Sequence, residues 1–172
     1  HSVSVGSGAD FSRDMRFTQA VAKGVAYAPA FFRDELPFMS IAVAHSGRDA
    51  GASVAEVDLR FLSEYVDDAQ IGKVGTAYVV DSHGVLLASS DKNRHLGKNL
   101  STLPQIAVLL KPGNETRTSG TSAEGQSVLT ASSAVHKLGW FVLFEQPKSQ
   151  ALAPIHDLLI RIALLVALGL AV

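Results

Sequence analysis

Gly75 to Ser90 reads GTAYVVDSHGVLLASS, in which two apolar runs, Ala77 to Val80 and Val85 to Ala88, flank Asp81-Ser82-His83-Gly84. Short apolar runs on either side of turn-forming residues predict a β-hairpin, with the glycine where the chain needs a positive φ. Downstream, strands are predicted at Gln126 to Val135 and Trp140 to Glu145, joined by a turn at Lys137 to Gly139. Between the two hairpins, Ile106 to Leu110 reads as a short helix stopped at Pro112-Gly113.

Upstream lies a second, similar arrangement. Phe38 to His45 and Ser53 to Leu59 form a predicted hairpin around the turn SGRDAG. Ala26 to Phe32 is an extended segment, and Ser12 to Lys23 is a short helix ended by Gly24. Arg60 to Ala69 puts Phe61, Leu62 and Tyr65 on one helical face and Glu64, Asp67 and Asp68 on the other, which predicts an amphipathic linking helix. The order of elements fits an α+β fold of two half-sized units in series better than one sheet.

The 15 Lys and Arg against 16 Asp and Glu leave a formal net charge of −1, with basic residues scattered singly, so no nucleic-acid partner is expected. The absence of cysteine excludes disulfides, a thiolate nucleophile and every cysteine-containing zinc site. Six histidines are far apart, and no nucleophile elbow, phosphate-binding loop or His-Glu-x-x-His motif occurs. No catalytic residue, metal or cofactor is expected. At the C-terminus, Leu158 to Val172 reads LLIRIALLVALGLAV, apolar on every helical face after Ile162 and carrying one charge, Arg161. Residues 155–172 are therefore predicted to begin a transmembrane helix, the first nine residues to be disordered, and both ends to continue into a longer protein.

Several of these stretches together resemble a known family. The run from Gly24 to Asp91, with VAEVDL closing its first hairpin and Gly75 to Asp81 opening the next, looks like the double Cache sensor module of bacterial transmembrane receptors. LGKNLSTLPQ and LGWFVLFEQP, followed by ALAPI and an apolar run, are similar to that module's exit into the membrane. The resemblance implies PAS-like antiparallel sheets in two Cache subunits in series. Residues 10–59 would be the C-terminal half of an incomplete distal unit, 60–70 the linking helix and 71–150 the membrane-proximal unit. It implies a sensor in the periplasm or outside the cell, anchored in the inner membrane and dimeric in the intact receptor. Its output would be a histidine kinase or, alternatively, an adenylate/guanylate cyclase. A ligand-free, membrane-tethered interaction domain is the rival from another class, and a cytosolic PAS-like module a third.

The expected ligand is a small molecule bound in the distal unit. Phe17, Tyr27, Phe32 and Phe38 would supply aromatic walls, Arg33 would clamp an anionic group, and Asp58 would accept from an ammonium or hydroxyl. Cache modules that bind amino acids carry an Arg, a Trp-Tyr pair, a later Tyr and an Asp. The corresponding positions here are Asp14, then Arg16 and Phe17, then Tyr27, then Asp58, so only the last two agree and an amino-acid ligand is not supported. Tyr78, Asp91 and Arg94 form a second, weaker candidate in the proximal unit.

Overall fold

The computed structural model describes residues 13–46, 51–68, 75–111, 118–122 and 124–151. The predicted disordered start, the predicted transmembrane helix and the Pro112-Gly113 stop lie outside them. Among the described residues, no helix is long and apolar enough to cross a membrane.

The chain is a mixed α+β structure with two antiparallel sheets. It opens with α1, Met15–Lys23. Asp14 caps this helix by accepting a hydrogen bond from the Arg16 backbone N–H at 2.8 Å. Gly24 ends it with φ of 83°, a conformation costly for any residue with a Cβ. Four strands follow: β1 (Val25–Tyr27), β2 (Phe31–Arg33), β3 (Leu36–His45) and β4 (Gly51–Asp58). β4 pairs along one edge of β3 from Phe38↔Asp58 to His45↔Gly51. β1 and β2 lie end to end along the other edge, Tyr27 opposite Ile41 and Phe31 opposite Phe38. The small buried residues Ala20, Ala26 and Ala42 let α1 approach this sheet closely.

Helix α2, Phe61–Asp68, leads to the second sheet. Here the predicted face is corrected: Val66 is buried and Leu62 packs beside it, whereas Tyr65 is 69% exposed and Phe61 42%. Leu62 and Val66 are one turn apart and meet the sheets, which leaves the two rings to stack edge-on outside, 6.1 Å apart.

The second sheet contains β5 (Thr76–Val80), β6 (Leu86–Ser89), β7 (Thr118–Thr121), β8 (Ser127–Val135) and β9 (Trp140–Pro147), in the order β6-β5-β9-β8-β7. The hairpin between β5 and β6 forms as read. Asp81 accepts from the backbone N–H groups of His83 and Val85, both at 2.8 Å, and Gly84 takes φ of 78°. Helix α3, Pro104–Leu109, starts with proline in its first turn, where the missing N–H is no loss. The chain continues through the short helix α4, Lys148–Ala151.

Side chains on the two faces of the second sheet enter different cores. On one face Tyr78, Val80, Leu86 and Leu143 pack with Leu100, Ile106 and Leu109, so α3 and the segment before it cover this side. On the other, Ala77, Val79, Leu87 and Trp140 join Met39 of β3, Leu59 and Val66, with Phe32 alongside. The two sheets thus share one hydrophobic core.

Candidate functional site

Direct cross-strand partners point to the same side of a sheet, so the register assigns the expected distal residues to faces. Phe31, Arg33, Phe38, Glu56 and Asp58 share the face that α1 covers. Phe31 and Phe38 stack with ring centres 6.0 Å apart. The Arg33 guanidinium stands 5.3 Å from the Phe38 ring centre and 5.7 Å from that of Phe31. It also pairs with Glu56 Oε2 at 3.1 Å. Asp58 is held by Arg60, whose Nη2 lies 2.6 Å from its Oδ2. That hydrogen-bonded contact is the main reason its carboxyl is held below the usual range.

Arg33, Phe38 and Asp58 are therefore brought together, each charge with its own exposed partner. Phe17 stands apart, lining a cavity of about 480 Å³ with Val21, Gly24, Ala44, His45, Ser46 and Gly51. Tyr27 and Phe32 belong to the opposite face. Tyr27 is opposite Ile41 and 41% exposed, while Phe32 packs into the shared core beside Gly97. At the positions where the amino-acid pattern has Arg and Trp, Asp14 and Arg16 bind one another at 2.6 Å. The hydrogen bond from the Arg16 side chain, above all, brings Asp14 down to a pKa of about 2.

The second sheet holds a more deeply built polar cluster on its α3 side. Tyr78, on β5, donates its hydroxyl to Glu145 Oε1 at 2.5 Å. Gln105, on α3, donates to the same oxygen at 2.8 Å and to the Thr121 carbonyl at 2.9 Å. Arg94 lies over the Tyr78 ring, 5.0 Å from its centre, with Nη2 3.4 Å from Glu145 Oε2 and 3.4 Å from Glu124 Oε2. Asp91 approaches Arg94 Nε to 3.7 Å. Burial, and then the charge of Glu145, push the Tyr78 phenol far above its ordinary pKa. Burial works against the charge on Arg94, but Glu124 and Glu145 outweigh it and raise its pKa.

Tyr78, Asp91 and Arg94 are thus gathered as the sequence suggested, and Glu145 and Gln105 are the members it did not reveal. The signal for Glu145 was an acidic residue in phase with the apolar Phe141 and Leu143 of a strand. Expected as the strand's last residue, it instead lies opposite Thr76 and Thr130, inside the sheet.

Comparison with known proteins places these observations in a family. Residues 17–155 match the model of the Cache domain. No curated protein matches the chain. Among solved structures it is similar to the extracellular domain of mmHK1S-Z2, assigned as a histidine kinase, at 16% identity and TM-score 0.65, covering 83% of this chain and 58% of that one. The ligand-binding domain of Mlp24 with asparagine matches at 16% identity and TM-score 0.62, over 90% of this chain and 64% of that one. The ligand-binding domain of the Pseudomonas aeruginosa PAO1 amino acid chemoreceptor PctC, in complex with GABA, matches at 17% identity and TM-score 0.58, over 84% and 66%. The chain spans less than two thirds of the length of each. With both sheets inside the matched region, the chain belongs to the Cache domain family.

Proposed function

We propose that the chain is the small-molecule sensing region of a membrane-bound bacterial signalling receptor, exposed to the periplasm or the exterior. The observation that carries this reading is the Cache match over residues 17–155, which takes in both sheets. The solved domains with asparagine and GABA show that this fold serves ligand-binding receptors, and the mmHK1S-Z2 likeness favours a histidine kinase as the output. In this reading residues 10–59 belong to the distal Cache unit, 60–70 link, and 71–150 form the proximal unit. Residues 155–172 enter the membrane, and the intact receptor is a homodimer.

The ligand binds the α1 side of the four-stranded sheet. Arg33 holds an acceptor, Asp58 a donor and Phe38 supplies an apolar wall, while Phe17 lines the separate cavity toward the other end of β3; Tyr27 and Phe32 support the sheet from its other side. Occupancy favours one of two arrangements of the receptor, and a ligand shifts that balance only by its difference in affinity for the two. A thermal-shift screen of organic acids and amines on the 172-residue chain tests the site. A hit is expected to lose about tenfold or more in affinity in Arg33→Ala and Asp58→Ala. Hits that survive both substitutions unchanged would exclude this face.

A further inference from the structure

The side that α1 turns to the four-stranded sheet does not close along its whole length. Phe17, Ala20, Val21 and Gly24 recur at helical spacing, so they lie along one side of the helix. Ala20 is fully buried and packs with Ala26 and Ala42, and there helix and sheet touch. One step further along, β3 offers Ala44 and β4 begins with Gly51, residues with little or no side chain to reach the helix. The helix itself stops at Gly24, where an added Cβ would meet no atom within 4 Å. The space left between is the cavity of about 480 Å³, walled by Phe17 and Val21 from the helix and by Ala44 and Gly51 from the sheet.

The lining decides what the cavity can hold. Its only ionisable side chain is that of His45, and that ring is committed elsewhere, with Nε2 2.7 Å from Ser53 Oγ. His45 and Ser53 stand on the sheet face away from α1, since Ser53 is the cross-strand partner of Val43 and side chains alternate along a strand. Lys23, next to Gly24, is exposed and outside the lining. Ser46 is left to supply a hydroxyl. An ion would leave water here with no counter-charge to receive it. An apolar body instead gains by displacing water from Phe17, Val21 and Ala44. An apolar protein cavity of about 150 Å³ is enough for a benzene ring, so the volume here admits a ring with a short substituent.

We propose that this cavity is a binding site for a compact uncharged molecule with an apolar body and one hydroxyl or carbonyl, such as an aromatic alcohol or a cyclic ketone, its polar group at Ser46. Phe38, opposite Asp58, and His45, opposite Gly51, are seven residues apart on β3, about 23 Å at the rise of a strand. The cavity is therefore separate from the face of Arg33 and Asp58, and the proposal stands without a ligand there.

The test uses the 172-residue chain, ¹³C-labelled at its methyl groups, with benzyl alcohol and cyclohexanone as probes and benzoate and benzylammonium as charged controls of similar size. At least one neutral probe is expected to shift the Val21 and Ala44 methyl resonances, with both charged controls binding about tenfold or more weakly. Ala44→Leu fills the space; it should fold normally and weaken the neutral probe about tenfold or more. If Ala44→Leu fails to fold, Val21→Phe, at a position 57% exposed, closes the cavity from the helix side and carries the comparison. Methyl groups that no neutral probe moves, or binding indifferent to the filled cavity, overturn the proposal. So do charged controls that bind as well as the neutral probes, and binding lost in Asp58→Ala, which would put the probes on the other face. Nuclear Overhauser contacts from residues 1–12 or 47–50 to the Phe17 ring in the free chain would mean that the chain fills its own cavity, and overturn it equally.

Discussion

Tyr78 is fully buried, and its hydroxyl has one acceptor, the Glu145 carboxylate. Tyr78→Phe keeps the ring under Arg94 and removes only that charge-assisted hydrogen bond. The substitution is expected to lower stability by about 1–3 kcal/mol, measured by urea unfolding. Unchanged stability would mean that the hydroxyl contributes nothing to holding the carboxylate. Reading single residues from the sequence grouped Arg33 with Phe38 and Arg94 with Tyr78, and these do lie together, but it also grouped Tyr27 and Phe32 with Arg33, and they belong to the opposite face. It missed the groups that occupy those charges. Glu56 reaches Arg33 across β3, a relation set by sheet register rather than by sequence distance. Gln105 looks like a solvated helix residue, and only the packing of α3 on the sheet shows that it is enclosed.

Helix α2 shows how an element can be recognised and its orientation misjudged. Phe61, Leu62 and Tyr65 form a stripe that draws the eye away from Val66, yet the surface that covers the helix decides which side is inside. Val66→Ala is expected to cost about 2 kcal/mol, the loss of two buried methyl groups, whereas Tyr65→Ala should stay within about 0.5 kcal/mol of the parent. Equal effects in chemical denaturation would contradict the observed face. The hairpins were legible because apolar runs and turn residues alternate there. β7 was not, since its residues, TSGT, include nothing apolar and its strand character comes from pairing with β8. Its Gly120 is a packing necessity, because a Cβ there would sit 2.5 Å from Gln105 Oε1.

The whole molecule behaves as more than two sheets joined by a helix. Met39 from the first sheet and Val79, Leu87 and Trp140 from the second bury one another in a single core. Cooperative unfolding follows, and Trp140, the one tryptophan, reports on it. Met39→Ala should lower the stability seen by Trp140 fluorescence by about 2–5 kcal/mol, with the circular dichroism transition coinciding. Two separated transitions would show that the sheets unfold independently. The sequence favoured two units in series, and no local pattern could reveal that Met39 and Trp140 share a core, because contacts between sheets depend on long-range packing.

Strand β9 lies between β5 and β8 and carries Glu145 near its end, and α4 begins at Lys148. A β-strand advances about 3.3 Å per residue and is nearly inextensible along its axis. Any axial movement of the Glu145 backbone therefore reaches the first turn of α4 through a short, taut tether, with little slack in which to dissipate.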